Sequence, residues 1–147
     1  MTRPAATVAT EEDWPEIAAL RTRVFVGEQG VPPEIEQDGR DATAVHALSR
    51  DDAGRVVATG RLLLAPDPAT MPATIGRMAA DASVRGRGHG AAVLEELHRQ
   101  AALRGVRETE LHAQLTAQRF YERAGYSPVG DVYEEAGIAH VTMVRRL

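Results

Sequence analysis

The sequence predicts one mixed α/β domain, in which mostly antiparallel strands come early and a strand, a glycine-rich loop and a helix form a unit in the middle. Two patterns carry this prediction. Short strand-like segments are separated by turns rich in Gly, Pro and Asp, and apolar residues at helical spacing follow the glycine-rich loop. The 147 residues, 44% hydrophobic and 26% charged, suit one soluble globular domain spanning residues 1–147.

A short strand and an amphipathic helix open the chain. Residues 6–9 are typical of a strand. Thr10 and Asp13 resemble a capping box, and the acidic residues at 11–13 suit a helix N-terminus. Apolar residues then recur at helical spacing until the helix fades near residues 27–30: Trp14, Ile17, Leu20 and Val24.

Three strands are expected in the next part of the chain. A polar loop rich in proline and acidic residues, 31–43, precedes them and has room for one helical turn. The strands are predicted at 44–49, 55–65 and 73–80. The turns between them are predicted at 51–54 and 66–72.

The second half of the chain begins with the glycine-rich loop at 85–90. A helix is predicted from there to about Arg104, where Gly105 is a natural stop. The remaining elements are predicted in this order: a strand at 108–113, a short helix from Thr116 to Gly125, and a hairpin of strands at 127–133 and 140–145.

Three absent residue types narrow the chemistry. The chain has no Cys, so it offers no disulfide, no thiolate nucleophile and no Cys-ligated metal. It has no Asn and no Lys, and its 17 basic residues are all Arg, which cannot form a Schiff base. None of the serines lies in a G-x-S-x-G motif. Covalent catalysis is therefore disfavoured, and direct transfer to an acceptor is favoured.

Charge and hydropathy argue against several partners. The net charge of −4 disfavours nucleic acid, and no apolar run approaches the ~18 residues of a membrane span. Residues 1–10 lack the basic-then-apolar pattern of a signal peptide, so we expect a cytoplasmic protein. No metal is expected, because the candidate ligands lack paired spacing: Asp38, Asp41, His46 and His89.

Residues 85–90 (R-G-R-G-H-G) follow a predicted strand and open a helix. Closely spaced glycines let backbone N–H groups surround a phosphate, and the helix N-terminus adds unpaired donors and a favourable dipole. The spacing G-x-G-x-G is neither a Walker A loop nor the dinucleotide pattern G-x-G-x-x-G. A pyrophosphate site and a flexible surface loop both stay open at this point.

The same loop resembles the Q/R-x-x-G-x-G/A signature of the GNAT superfamily of N-acyltransferases. Arg85, Gly88 and Gly90 fall on its fixed positions. Residues 78–84 resemble the family's fourth strand leading into that loop, although Ala82 stands where the family usually has Pro.

Two further segments carry the resemblance. Residues 114–126 are similar to the family's N-x-x-A-x-x-F-Y-x-x-x-G-F/Y segment, with Gln114 in place of the usual Asn. Residues 24–32 resemble the F-V-x-E-Q-x-x-P stretch of the ElaA-like branch. The substrates of that branch are poorly defined, so this stretch does not name the acceptor.

The resemblance implies a mostly antiparallel, twisted sheet flanked by helices, with a V-shaped gap after the fourth strand that holds acetyl-CoA. The loop amides would hold the pyrophosphate, the strand backbone would pair with the pantetheine arm, and one strand N–H would polarise the thioester carbonyl. The implied cofactor-binding residues are Met78, Ala79, Ala80, Arg85, Gly86, Arg87, Gly88, His89, Gly90 and Gln114.

The resemblance also implies transfer of an acetyl group from acetyl-CoA to a primary amine of a small molecule or peptide, by direct attack in a ternary complex. The alternative is a non-catalytic acyl-CoA-binding sensor or adaptor. A nucleotide-binding protein is a weaker third option, because no partner acid follows the loop about 20 residues on in Rossmann fashion. A homodimer is a further expectation from the family.

Three residues are candidates for the chemistry. Tyr121 falls where the family places a Tyr that protonates the departing thiolate, whereas helix spacing alone favours a core aromatic. A base must also take a proton from the amine. His112, on a strand expected to border the gap, and Glu28 are the candidates. A structural imidazole and a solvated loop acid are the respective alternatives.

Arg61 and Arg77 are the candidates for acceptor binding. A hairpin symmetric about Ala69 places them directly opposite one another, where like charges are destabilising unless they share an anion. A shift of register by one residue would put them on opposite faces and remove the argument. The shared anion is either a substrate carboxylate or a loop acid: Glu28, Glu36 or Asp38.

Overall fold

A seven-stranded sheet in the order β1-β2-β3-β4-β5-β7-β6 organises the protein, in a computed structural model that describes residues 4–147. Residues 1–3, part of the segment 1–10 that was predicted not to be a signal peptide, lie outside this range. Only β4 and β5 pair in parallel; the other neighbours are antiparallel. The strands are β1 Ala6–Val8, β2 Val45–Arg50, β3 Val56–Leu63, β4 Ala73–Ala80, β5 Glu108–Gln114, β6 Ser127–Glu135 and β7 Ile138–Arg146. The predicted mostly antiparallel mixed sheet is therefore confirmed.

The helices lie where hydrophobic periodicity predicted them. α1 is Trp14–Arg21 and continues without a break as a π-helical stretch, Thr22–Glu28, so the first helix ends in the expected region. The polar loop at 31–43 contains the single helical turn α2, Pro33–Glu36. The remaining helices are α3, His89–Leu103, and α4, Gln118–Arg123. No helix within residues 4–147 is long and apolar enough to cross a membrane.

Each face of the sheet carries its own apolar core. α3 buries Val93, Leu94, Leu97 and Ala101 against one face, and α1 buries Ile17, Leu20 and Val24 against the other. Gly60 on β3 allows α3 to approach closely, because a Cβ there would collide with Met78, Leu97 and Val93. The two layers hold β3 and β4 rigidly between them.

A β-bulge in the β3–β4 hairpin corrects one prediction. The pairing Thr59↔Ala79 is followed by Arg61↔Gly76, so Arg61 lies opposite Gly76 and not opposite Arg77. β4 contributes one extra residue at this point, which the symmetric hairpin of the sequence prediction did not include. Arg77 has φ of 50°, in the left-handed region that non-glycine residues rarely adopt.

Candidate active site

A V-shaped gap opens between β4 and β5, as the sequence resemblance implied. The two strands pair only from Ala73↔Thr109 to Ile75↔Leu111, after which their C-terminal halves diverge. A cleft of about 760 Å³ lies there. It is lined by Met78, Ala79 and Ala80 on β4, by His112 and Gln114 on β5, and by Tyr121 from α4.

The backbone of β4 faces this gap at alternate residues. Asp81 N–H donates to the Val57 carbonyl at 2.8 Å, which assigns Asp81 to the β3 side of the strand. Backbone groups alternate in direction along an antiparallel strand, so Ala79 also pairs toward β3 while Ala80 turns toward the gap; Met78 lies in the bulge that follows. The Ala80 carbonyl accepts from Arg85 Nε at 3.0 Å, which agrees with this direction.

The glycine-rich loop presents free backbone donors at the entrance of the gap. Gly86 and Gly88 have φ of 81° and 93°, a conformation that favours residues without a Cβ. The first α3 hydrogen bond runs from Ala92 N–H to the Gly88 carbonyl at 3.0 Å, so the amides of the first turn have no partner within the helix. His89 Nδ1 contacts Ser49 Oγ at 2.7 Å, which leaves its backbone amide as the group available to a ligand.

Arg85 and Glu28 form an ion pair at the same entrance. Arg85 Nη2 donates to Glu28 Oε1 at 2.8 Å, and both side chains are exposed. Arg85 lines the cleft, whereas Glu28 lies outside the lining. The contact ties the end of the first helix to the glycine-rich loop. A base role for Glu28 stays a prediction, and this position favours a structural tie.

Tyr121 is the tyrosine that lines the cleft. It is 8% exposed, and its ring packs edge-on against Phe120 and Tyr126 with centroids 5.0 and 5.9 Å away. Burial, and secondarily Tyr126, raises the pKa of the Tyr121 phenol well above its ordinary value. The hydroxyl therefore stays protonated at neutral pH and is available as a donor.

Tyr126 is committed to a buried network instead. Its hydroxyl lies 2.6 Å from His98 Nε2 and 2.8 Å from Thr109 Oγ1. Arg145 Nη1 donates to His98 Nδ1 at 2.9 Å, so the neutral ring carries its proton on Nε2 and donates it to Tyr126. Burial, then Arg145, lowers the pKa of His98 to about 4, which keeps the imidazole neutral at pH 7. Tyr126 is thus a structural residue.

Gln114 pairs with Gln29 across the mouth of the cleft. The two amides donate to one another, with N···O distances of 2.8 Å from Gln114 and 3.4 Å from Gln29. This pair connects the end of the first helix to the end of β5. Gln114 lines the cleft, and its cofactor-binding role stays a prediction.

Loop 31–43 is held over the cleft by a charged cluster, which we call the loop anchor: Arg21, Arg61, Arg77, Glu36, Asp38 and Asp41. Arg61 is 4% exposed and donates to Asp38 at 2.9 Å and to Asp41 at 3.0 Å. Arg77 lies 3.4 Å from Asp38 and also donates to the carbonyls of Ile35 and Glu36.

The loop anchor explains how the positive charges of Arg61 and Arg77 can lie close together. Arg61 and Arg77 converge on Asp38, so of the two anions that the sequence left open, a loop acid fills the position here. The hydrogen bond from Arg61 holds the pKa of Asp38 well below its ordinary value, against the effect of burial. Burial raises the pKa of Asp41, but the Arg21 and Arg61 contacts outweigh it and lower the pKa overall.

His112 lies beside residues that the sequence did not single out. Its Nδ1 is 3.4 Å from Glu135 Oε1, and its Nε2 is 3.6 Å from Glu110. His140 Nε2 is 3.6 Å from the other oxygen of Glu135. No pattern along the chain marks this group, because it depends on how β6 and β7 pair with β5. Within residues 4–147, no three such side chains are arranged to hold a metal ion.

Comparisons with known proteins agree with this geometry. Residues 15–147 match the family described as Acetyltransferase (GNAT) domain. The chain belongs to the GNAT acetyltransferase family. Its relatives include a UPF0039 protein of Synechocystis, 33% identical over 134 residues that make up 90% of this chain and 85% of the relative. ElaA of Escherichia coli is 34% identical over 132 residues, 87% of this chain and 84% of ElaA.

Solved structures of other GNAT proteins superpose on the whole chain. The crystal structure of E. coli ElaA has a TM-score of 0.83 at 28% identity, and covers 97% of this chain and 99% of ElaA. An acyl-CoA N-acyltransferase from Pseudomonas aeruginosa has a TM-score of 0.80 at 32% identity, with 97% and 99% covered. Both the family and the resemblance to ElaA are therefore shown.

Proposed function

We propose that this GNAT protein transfers an acetyl group from acetyl-CoA to a primary amine, by direct attack in a ternary complex. The observation that carries the proposal is the convergence of three parts on one cleft: the β4 edge at Met78 and Ala80, Arg85 at the start of the glycine-rich loop, and the buried phenol of Tyr121. Family membership supports an acyl-CoA donor.

The residues at the entrance fit a CoA pyrophosphate. The Arg87 amide donates to the Val84 carbonyl at 3.2 Å, whereas the amides of Gly86 and of residues 88–91 have no backbone partner among the described residues, and Gly86 and Gly88 carry no Cβ. Arg87 is exposed beside them and adds positive charge. Farther in, Met78 and Ala80 offer backbone groups to the amides of a pantetheine arm, in the manner of an added strand.

Acetyl-CoA supplies an activated thioester when bound, and the chain supplies the groups around it. A β4 N–H in the gap would polarise the thioester carbonyl. The amine nitrogen forms a bond to the carbonyl carbon, the C–S bond breaks, and Tyr121 donates its proton to the departing sulfur. The phenol recovers a proton from the acylated nitrogen. No residue needs to carry the acyl group, which agrees with the absence of Cys and Lys.

Direct binding of the acceptor by Arg61 and Arg77 is a secondary part of this proposal. Their guanidiniums already contact carboxylates and carbonyls of loop 31–43, so they act on the acceptor chiefly by positioning that loop. Arg61 and Arg77 both line the cleft, and an anionic group on the acceptor would compete with Asp38 for them. The cytoplasmic location and the homodimer remain predictions.

The proposal is tested by an acceptor screen. Purified protein is mixed with acetyl-CoA and a library of primary amines, and free CoA is measured with a thiol reagent. We expect amine-dependent release, and we expect the protein to bind acetyl-CoA but neither ATP nor NAD. If the protein binds acetyl-CoA but releases no CoA with any amine, catalysis is contradicted. The alternative function, a non-catalytic acyl-CoA-binding sensor or adaptor, would then be favoured. Tight binding of ATP or NAD would indicate a nucleotide-binding protein instead.

A further inference from the structure

Glu135 lies between two imidazoles at the acceptor side of the cleft. One carboxylate oxygen is 3.4 Å from His112 Nδ1, and the other is 3.6 Å from His140 Nε2. All three residues line the cleft. His112 and His140 lie on neighbouring strands, β5 and β7. Glu135 is the last residue of β6, just before the turn to β7. The mechanism given above uses none of the three.

The tautomer of His140 is fixed by the backbone. Its Nδ1 lies 2.6 Å from the carbonyl oxygen of Ile138, which can only accept, so Nδ1 carries a hydrogen. The neutral ring therefore has its lone pair on Nε2. That atom has no hydrogen-bond partner among the described residues, although His140 is only 6% exposed. An accessible lone pair on a held imidazole can accept a proton.

Glu135 and Tyr133 position the two imidazoles. The Glu135 carboxylate lies 3.6 Å from His140 Nε2, the atom with the free lone pair. The Tyr133 ring stacks on His140 with centroids 6.0 Å apart and meets His112 edge-on at 5.9 Å, which fixes both imidazoles. The titratable groups facing the pair are Tyr133 and Glu135 from β6 and Glu110 from β5.

Of the three residues only His140 is buried. Its side chain is 8% exposed, whereas those of Glu135 and His112 are 51% and 41% exposed, so a proton that leaves His140 reaches groups in contact with solvent. The other acids near the cleft are unsuited to this role: Glu36 and Asp38 contact arginines of the loop anchor, and Glu28 contacts Arg85 outside the lining. Tyr121 is held protonated by burial.

We infer that His140 is the general base for the acceptor amine and that Glu135 and His112 pass its proton to solvent. This inference rests on the proposed acetyl transfer. His140 Nε2 accepts one proton from the ammonium form of the acceptor, leaving a neutral amine that can attack. The proton then leaves His140 by way of Glu135 and His112 to water, so the ring is neutral again before the next turnover.

The kinetic test compares Glu135→Gln with Glu134→Gln. Glu134 is the adjacent exposed acid, pairs with Ala139 and has no contact with either imidazole, so it is a matched control. With the best primary amine of the acceptor screen, we expect His140→Gln to lower kcat/KM at neutral pH by about 10²-fold or more, as for loss of a general base. Glu135→Gln should show a smaller loss, and Glu134→Gln none.

The dependence on pH separates a base from a structural residue. At alkaline pH the amine is already neutral, so His140→Gln should recover most of the wild-type rate. A loss that is equal at every pH, or no loss at all, would overturn the base role while the wild type remains active. Absence of activity in the wild type would instead contradict the proposed function itself.

A second measurement does not depend on activity. Nitrogen-15 NMR of the full chain should show neutral His140 protonated on Nδ1. Glu135→Gln should change the ring nitrogen shifts of both His112 and His140, and Glu134→Gln should change neither. A neutral His140 protonated on Nε2, or rings that do not respond to Glu135→Gln, would refute the path through Glu135.

Discussion

The two ends of the cleft present different chemical groups, backbone amides and carbonyls at one end and side chains at the other. The cofactor end, the β4 edge at 78–80 and the loop at 85–90, presents backbone groups whose directions are set by a strand and a helix N-terminus. The acceptor end, loop 31–43 and the β6–β7 hairpin, depends on side chains that meet across long distances in sequence, such as Arg61 with Asp38 and His112 with Glu135.

Under the proposed function, this difference would let one fold keep its donor site while its acceptor site changes. Backbone donors recognise a pyrophosphate and a pantetheine arm whatever the neighbouring side chains are. Side-chain clusters can change without disturbing the strands that hold the donor. Substitutions at the cofactor end should therefore affect every substrate, whereas those at the acceptor end should affect stability, pH dependence or acceptor choice.

The largest effect is expected from Tyr121→Phe. Only the hydroxyl is removed, so packing is preserved while the proton for the departing sulfur is lost. We expect kcat to fall about 10²–10⁴-fold with acetyl-CoA affinity nearly unchanged. Steady-state kinetics and calorimetry would measure the two quantities.

Tyr126→Phe is the matched control for this loss. Its hydroxyl belongs to the buried network with His98 and Thr109, so its removal should cost about 1–3 kcal/mol of stability and leave kcat near wild type. Full activity of Tyr121→Phe across the pH range would remove Tyr121 from the mechanism.

Gly88→Val should weaken acetyl-CoA binding more than tenfold. A valine at φ of 93° is strained, so the loop backbone would shift together with the amides that it presents, although its Cβ would meet only Pro4, at 3.7 Å. Gly54→Val, at φ of 82° in a distant turn, carries the same backbone strain and is the control. If both variants bind acetyl-CoA like the wild type, the loop does not hold the pyrophosphate.

Arg77→Ala distinguishes an anchor from a substrate contact. The side chain donates to two carbonyls of loop 31–43 and contacts Asp38, so its loss should lower the melting temperature whatever the substrate. Thermal melting and KM for the amine are measured together. A sharp rise in KM for an anionic acceptor with no change in melting temperature would instead support direct acceptor binding.

Asp38 should make stability depend on acidic pH. Because its folded pKa lies below the ordinary value of about 3.9, the carboxylate stabilises the fold above that pH and loses this contribution as pH falls further. Asp38→Asn should cost about 1–3 kcal/mol at neutral pH and less in acid. Urea unfolding across pH, with exposed Asp52→Asn as control, tests this. Parallel pH curves for wild type and Asp38→Asn would contradict it.

The smallest effect is expected from Glu28→Gln. Its ion pair with Arg85 is exposed, and such pairs contribute about 0–1 kcal/mol. We expect kcat and its pH profile to stay near wild type. A large loss of kcat confined to low pH would make Glu28 the base and replace His140 in that role.

The strand, loop and helix of the cofactor end could be predicted from the sequence because their determinants are local, and their binding of a cofactor stays a prediction. The glycines at 86 and 88 and the helix that follows lie within a few residues, and the strand before them is continuous. The gap itself came from the family resemblance, and the divergence of β4 from β5 confirms it.

The acceptor end could be predicted only in part. Arg61 and Arg77 were singled out, but the bulge in β4 shifted their register by one residue, which strand alternation alone does not show. Glu135 and His140 escaped notice because their relation to His112 depends on the pairing of three strands. Contacts between distant segments are set by the tertiary fold, and no local pattern encodes them.

Hydrogen exchange of the backbone with and without acetyl-CoA tests the central claim most directly, because the gap between β4 and β5 is where we place the donor. We expect saturating acetyl-CoA to protect the amides of Met78 and Ala80 and of residues 86–91, and to leave the β6 edge unchanged. Acetyl-CoA binding that protects none of these amides, or that protects a different surface, would contradict the account.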